Sequence, residues 1–287
     1  MKGWIQAARP RTLPLAFSAI TTGACDAFPE SFWRHEVYHL ALLTALLLQI
    51  VSNLANDYGD FKKGVDNPTR VGPARALQRG LLTPARLRQG IFWTGAAAFL
   101  TGIVLLIKAY ATVGVAVLFF LAAGVAALGA ALAYTLGRKP YGYRGFGELA
   151  AFIFFGPLAV SGTFFLLTAG WEIHNLLHGV AVGFWTAAVL LTNNIRDMAG
   201  DMAHGKRTLA VRLGSPGSRI LLAAFLALGA AGYVPEGAWP LTLFATFGAL
   251  PLIAMALLTP APQLDRLLRL IVLYIIFCTV LKVVLMA

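Results

Sequence analysis

Charge is what this chain has least of. Asp, Glu, Lys and Arg make up 12% of its 287 residues while hydrophobic residues make up 59%. A soluble domain carries about twice that share of charge, so an ordinary water-soluble fold is excluded. Cysteine is scarce too. Cys25 and Cys278 both lie in apolar runs, which excludes a disulfide framework and a thiolate metal site and leaves them as small packing residues. Of the few histidines, His35 and His39, and again His174 and His178, are spaced i, i+4. Neither pair has a third ligand at motif spacing, so all four read as interfacial residues rather than a zinc site. No cleavage-site pattern closes the first apolar run, which is therefore expected to be retained. The net charge of +11 stands on no soluble basic domain, and nucleic acid is excluded as a partner.

What the chain has in abundance is apolar runs of about 17–25 residues, the length that crosses a bilayer. They predict an all-α, polytopic membrane protein with nine transmembrane helices, near 12–28, 37–58, 91–107, 110–136, 148–169, 175–195, 218–234, 239–258 and 267–286. Gly and Pro recur inside them, as lipid-embedded helices tolerate. With a cytoplasmic N-terminus, nine spans leave only Arg34, Lys108 and Lys282 of the 23 basic residues outside. That asymmetry predicts the orientation and places the C-terminus outside. The basic face also suits anionic membrane lipids. The whole of 1–287 reads as one transmembrane domain in the cytoplasmic, or inner, membrane, with cytoplasmic loops at about 59–90, 137–147 and 196–217. No obligate protein partner is visible.

The scarce acids are not scattered. Asn53, Asp57 and Asp60 fall at i, i+4 and i+7, one face of a helix, where an apolar run ends. Asn193, Asp197 and Asp201 repeat the arrangement at i, i+4 and i+8. Each set is followed by Gly and basic residues, Gly64 after the first and Gly205, Lys206 and Arg207 after the second. The spacing suggests an internal four-helix pseudo-repeat, 37–136 against 175–258. Oxygen ligands of this kind suit Mg²⁺, which binds one or two carboxylates and lets substrate phosphates complete its shell. Two facing clusters predict one Mg²⁺-diphosphate site. If the diphosphate leaves an allylic carbon, the cation left behind needs apolar, aromatic walls, for which Phe92, Trp93, Phe152, Phe154, Phe155 and Trp185 are candidates.

NDYGDFKKGVD (56–66), RVGPARALQRG (70–80), YTLGRKPYGYRGFGE (134–148) and NNIRDMAGDMAHGKRTLAVRLG (193–214), with ARPRTLP (8–14), resemble the UbiA superfamily of membrane prenyltransferases. Within it they are most similar to the 1,4-dihydroxy-2-naphthoate polyprenyltransferase branch of menaquinone biosynthesis. The resemblance runs in order from about residue 8 to 214, and beyond that it is mainly one of hydropathy. It implies a nine-helix bundle and Mg²⁺-dependent transfer of a polyprenyl group to 1,4-dihydroxy-2-naphthoate with loss of carbon dioxide, giving demethylmenaquinone. It further implies that Asn53, Asn56, Asp57 and Asp60 hold one end of the metal-diphosphate and Asn193, Asp197 and Asp201 the other. Asp66 would contact metal or acceptor, while Arg70, Arg75, Lys139, Arg144, Lys206 and Arg207 would clamp the diphosphate. Tyr141, Tyr143 and Glu148 would lie on the acceptor side. Two alternatives stand beside this reading: a family member acting on 4-hydroxybenzoate or homogentisate, and a secondary transporter. Transport sites sit near the bilayer midplane, whereas these acids end helices on one face.

Overall fold

The computed structural model describes residues 1–66, 71–110, 112–232 and 239–286, and these are all-helical apart from turns. In chain order the helices are α1 (Lys2–Ala8), α2 (Pro14–Ala27), α3 (Glu36–Lys62), α4 (Pro84–Ala109), α5 (Val115–Ala133), α6 (Gly147–Phe155), α7 (Pro157–Thr168), α8 (Ile173–Ala203), α9 (Leu209–Gly232), α10 (Trp239–Leu258) and α11 (Leu264–Met286). Among the described residues eight candidate spans are long and apolar enough to cross a membrane, α6 and α7 counting as one. The run expected to span 12–28 is α2, whose 14 residues make a helix about 21 Å long, short of the roughly 20 residues of a full crossing. Proline opens α2, α4 and α7, where its missing N–H would have been unpaired anyway.

Gly156 and Pro157 break the span expected at 148–169. Pro157 cannot donate back into α6, and Gly156 lies where a Cβ would come 2.5 Å from the Gly179 carbonyl oxygen and 2.6 Å from the Gly183 Cα. Only a residue without a side chain lets the break touch α8, the close approach by which helices associate in lipid. α8 is the most enclosed span. Its Trp185 and Leu191 pack with Leu222 and Leu226 of α9 and with Leu267 and Ile271 of α11 in one apolar core. α5 has no buried residue at all, because one of its faces, with Phe120, Ala127 and Leu128, borders the large cavity described below.

At the end of α2, Asp26 forms an ion pair with Lys282 of α11, and its Oδ2 also accepts from Asn175 Nδ2 at 2.8 Å and lies 2.9 Å from His178 Nδ1. His178 is thus buried, not interfacial, because the Asp26 carboxylate of α2 packs against α8 and engages its ring nitrogen. Cys25 and Cys278 are buried packing residues, as their apolar setting suggested.

At the opposite end α3 and α8 run on past their apolar stretches, so both Asp sets lie on helix rather than in loops. Thr135 ties the turn after α5 to α3, its hydroxyl donating to the Ala55 carbonyl at 2.9 Å. This places the 134–146 segment beside both helix ends.

Candidate active site

A cavity of about 360 Å³ lies between the ends of α3 and α8, with Asn53, Asn56, Asp60, Asn193, Asp197 and Asp201 along its polar end. The two motifs therefore meet, and Lys206 joins them: its Nζ lies 3.5 Å from Asp60 and 3.3 Å from Asp201. Tyr143 completes the junction. Its hydroxyl donates to Asp60 Oδ1 at 2.6 Å, and its ring lies under Lys63 Nζ at 4.3 Å and Lys206 Nζ at 4.9 Å. Burial, reinforced by the Asp60 carboxylate, holds the Tyr143 phenol far above its usual range, so it stays a proton donor.

Asp57 is fully buried and does not line the cavity. Its Oδ1 pairs with Arg9 and, at 3.5 Å, with Arg75 Nη1, while its Oδ2 has no hydrogen-bond partner. Arg9 reaches it because the chain turns left-handed at that residue, with φ 53° closing α1, a conformation costly for any residue but glycine. Asn53 holds this turn, its Nδ2 donating to the Ala8 carbonyl at 2.9 Å. Asn56 bridges Arg9 and Asp60: its Oδ1 accepts from Arg9 Nη1 at 3.1 Å, and its Nδ2 donates to Asp60 Oδ2 at 3.0 Å.

In the second motif Arg196 occupies the place of a counter-ion. Its Nε and Nη2 form a fork on Asp197, each at 2.9 Å, its Nη2 donates to Asn193 Oδ1 at 2.5 Å, and its Nη1 reaches Asp265 of α11 at 3.2 Å. Such a planar two-point match is the strong form of a charge-assisted bond. Gly72 covers the guanidinium so closely that a Cβ there would lie 2.6 Å from Nη2.

The expected clamp divides. Arg75 and Lys206 line the cavity, and Asp66 is buried with its Oδ1 3.9 Å from Arg75 Nε. Lys139, Arg144 and Arg207 are exposed and outside the lining. Neighbouring residues at a helix entrance face different ways, so Lys206 turns inward and Arg207 bonds through its backbone, its N–H donating to the Tyr143 carbonyl at 2.9 Å and its carbonyl accepting from Arg212 Nε at 3.3 Å. Arg70 lies outside the described residues. His204 is exposed and bonds the Gly200 carbonyl. Arg9 and Arg196 entered the sequence analysis only as topological charge. Arg196 stands between Asn193 and Asp197 in the motif itself, a signal that was present, whereas nothing local marks Asp265.

With its polar end included, the cavity follows one face of α3 from Asp60 back to Ala41. At 1.5 Å per residue that lane is about 28 Å long, close to the roughly 30 Å of a hydrocarbon core. Phe154 and Phe155 line it as expected, joined by Phe99 and Phe120. Phe92 and Trp93 are exposed, Phe152 lies outside the lining, and Trp185 is sealed in the apolar core. Their sequence positions could not separate these fates, since an aromatic in a membrane helix can face lipid, core or cavity.

Among the described residues no three acidic, His or Cys side chains converge as a ready-made metal cage. The donors present still fit Mg²⁺, which takes one or two carboxylates and leaves the rest of its shell to water and phosphate. Asp201 Oδ2, buried and without a partner, is a hard oxygen of the required kind.

The family model described as "UbiA prenyltransferase family" matches residues 15–279. A 1,4-dihydroxy-2-naphthoate octaprenyltransferase of Haemophilus influenzae is 41% identical over 237 residues, 82% of this chain and 76% of that protein. Among solved structures, the apo structure of a UbiA homolog from Aeropyrum pernix superposes with a TM-score of 0.71 at 18% identity, covering 97% of this chain and 99% of that one. A UbiA homolog from Archaeoglobus fulgidus, bound to DMAPP and Mg²⁺, superposes with a TM-score of 0.63 at 14% identity, covering 98% and 99%.

Proposed function

Because the chain belongs to the UbiA prenyltransferase family, we propose that it transfers a polyprenyl group from an allylic diphosphate to 1,4-dihydroxy-2-naphthoate, a step of menaquinone biosynthesis. The observation that carries this reading is the shape of the cavity. Acids, amides and cations from two motifs close one end, and an apolar lane leads away from them. That division matches a substrate with a charged head and a long hydrocarbon tail.

Asn53, Asn56, Asp60, Asn193, Asp197 and Asp201 line the polar end and are the residues that would hold Mg²⁺ and the diphosphate, with Asp57 behind them fixing Arg9 and Arg75. When bound, Mg²⁺ neutralises charge gathering on the departing oxygens. Lys206, Arg75 and Arg9 act in the same direction, and such interactions strengthen as the allylic C–O bond breaks and its electron pair passes to the diphosphate. Phe99, Phe154 and Phe155 exclude water from the cation. The ring carbon bearing the carboxylate then forms the new C–C bond, and carbon dioxide leaves with its bonding pair returned to the ring. The whole of 1–287 acts as one domain in this reading, in the cytoplasmic membrane with its N-terminus in the cytoplasm.

Detergent-purified protein given a polyprenyl diphosphate, the naphthoate and Mg²⁺ should release diphosphate and form the prenylated, decarboxylated product without any membrane gradient. Turnover with 4-hydroxybenzoate or homogentisate in place of the naphthoate would reassign the acceptor. Product formation that required a gradient would overturn the enzyme reading.

A further inference from the structure

Glu148, in the first turn of α6, is buried among apolar helices and does not line the cavity. Its Oε1 accepts from Asn194 Nδ2 at 2.8 Å, and its Oε2 has no hydrogen-bond partner. A carboxyl group held so far from water is unfavourable, and packing alone would be served as well by an apolar residue of similar size. Asn194 is different, because it both meets Glu148 and lines the cavity at its polar end.

The pair decides which way the amide points. With Asn194 Nδ2 donating to Glu148 Oε1, the amide carbonyl oxygen is left as the group on the cavity side. On the same wall lie Tyr134 and Tyr141, edge to face with centroids 5.4 Å apart. Gly142 and Gly147 lock Tyr134 in place, since a Cβ at either would come within 2.6 Å and 3.0 Å of its ring. A flat, aromatic-walled recess thus carries one fixed hydrogen-bond acceptor, a few residues from the groups that face the diphosphate.

We propose that Asn194 accepts a hydrogen bond from a ring hydroxyl of the aromatic acceptor, and that Glu148 is the positioning residue that sets the orientation of the Asn194 amide. The inference rests on the prenyltransferase reading. Its chemistry suits that reaction: the ring loses carbon dioxide rather than a proton, so the hydroxyl needs a partner that raises the electron density of the ring, and no base is required. An amide carbonyl provides this and cannot strip the proton. The class of acceptor is therefore a planar arene with a free hydroxyl.

Steady-state kinetics on the full-length enzyme in detergent test the assignment. Asn194→Leu should raise KM for the naphthoate about three- to tenfold, the range of one neutral hydrogen bond, while KM for the prenyl diphosphate stays within about twofold of the wild type. Naphthoate binding measured by fluorescence without the diphosphate should weaken by the same factor. Glu148→Leu should move the acceptor KM in the same direction, and Glu148→Gln should recover most of that loss, because a glutamine carbonyl still accepts from Asn194 Nδ2. An acceptor with both hydroxyls O-methylated should bind wild type and Asn194→Leu alike. If Leu at 194 prevents accumulation, Asn194→Ala removes the amide without added bulk and is read in the same way. An unchanged acceptor KM, or equal rises in both KM values, would overturn the role of Asn194. Glu148→Gln as impaired as Glu148→Leu would make Glu148 a base rather than a positioning residue. A wild type that fails to prenylate the naphthoate is a separate outcome, and sinks the activity reading itself.

Discussion

Two buried polar clusters lie at opposite ends of this helix bundle and are built on different terms. At one end Asp26, Lys282, His178 and Asn175 are sealed between α2, α8 and α11, with no cavity against them. One acid meets one lysine, an imidazole and an amide, and the Asn175 Oδ1 is left without a hydrogen-bond partner. At the other end the groups outnumber their pairings. Asp57 Oδ2 and Asp201 Oδ2 are buried without partners, and five carboxylates share a cavity wall or its backing with Arg9, Arg75, Arg196 and Lys206. A closed, charge-matched cluster joins helices. An open one, held in partial mutual neutralisation, is set up for a ligand that brings its own charge.

Breaking the open cluster should cost activity first. Asp197→Asn should lower kcat more than a hundredfold, since the loss of a metal or diphosphate contact removes several kcal/mol of transition-state stabilisation, with the melting temperature in detergent nearly unchanged. Asp57→Asn acts through Arg9 and Arg75, which it frees from a buried carboxylate outside the cavity, and should lower both kcat and the melting temperature. Chelation of Mg²⁺ should act as Asp197→Asn does and be reversed by its return. More than about a tenth of wild-type activity left in both variants would separate these acids from the shared site.

The sealed cluster should respond in reverse. Lys282→Met leaves Asp26 buried without its lysine, a change of the kind that costs about 3–5 kcal/mol, so the melting temperature should fall sharply while turnover per folded molecule stays within about twofold. Pairing it with Asp26→Leu should restore much of the loss. A stable Lys282→Met enzyme with depressed kcat would mean that the distant cluster takes part in the chemistry.

Within the open cluster the contrast sharpens between adjacent residues. Lys206→Gln should reduce kcat about tenfold or more, because a charge-assisted bond is worth roughly 1.5–3 kcal/mol. Tyr143→Phe keeps the ring between Lys63 and Lys206 and loses only the bond to Asp60, so a smaller fall of a few-fold is expected. Arg207→Gln, exposed and outside the cavity, should leave kcat within about twofold. Equal losses at 206 and 207 would make both charges determinants of membrane orientation alone.

The helical class, the membrane setting and the two Asp-rich motifs could be read from the chain because each depends on local rules: run length against bilayer thickness, and helix periodicity for carboxylates at four-residue spacing. Positions such as Asp60, Asp197 and Asp201 followed directly. What sequence alone could not supply was direction. Lys206 and Arg207 are neighbours of like charge, and only the turn that leads into α9 sends one inward and the other out. Arg9 and Arg196 were legible as topological charges, and became part of the site only when α1 closed left-handed onto Asp57 and the Arg196 fork closed on Asp197. His178 and Lys282, some hundred residues apart, carry no local mark of meeting Asp26, since burial and ion pairing arise when helices pack. The chain by itself determined which segments enter the lipid and which residue types gather at their ends. The tertiary structure decided which of those residues share a cavity, because the direction of a side chain is set by the helix across from it.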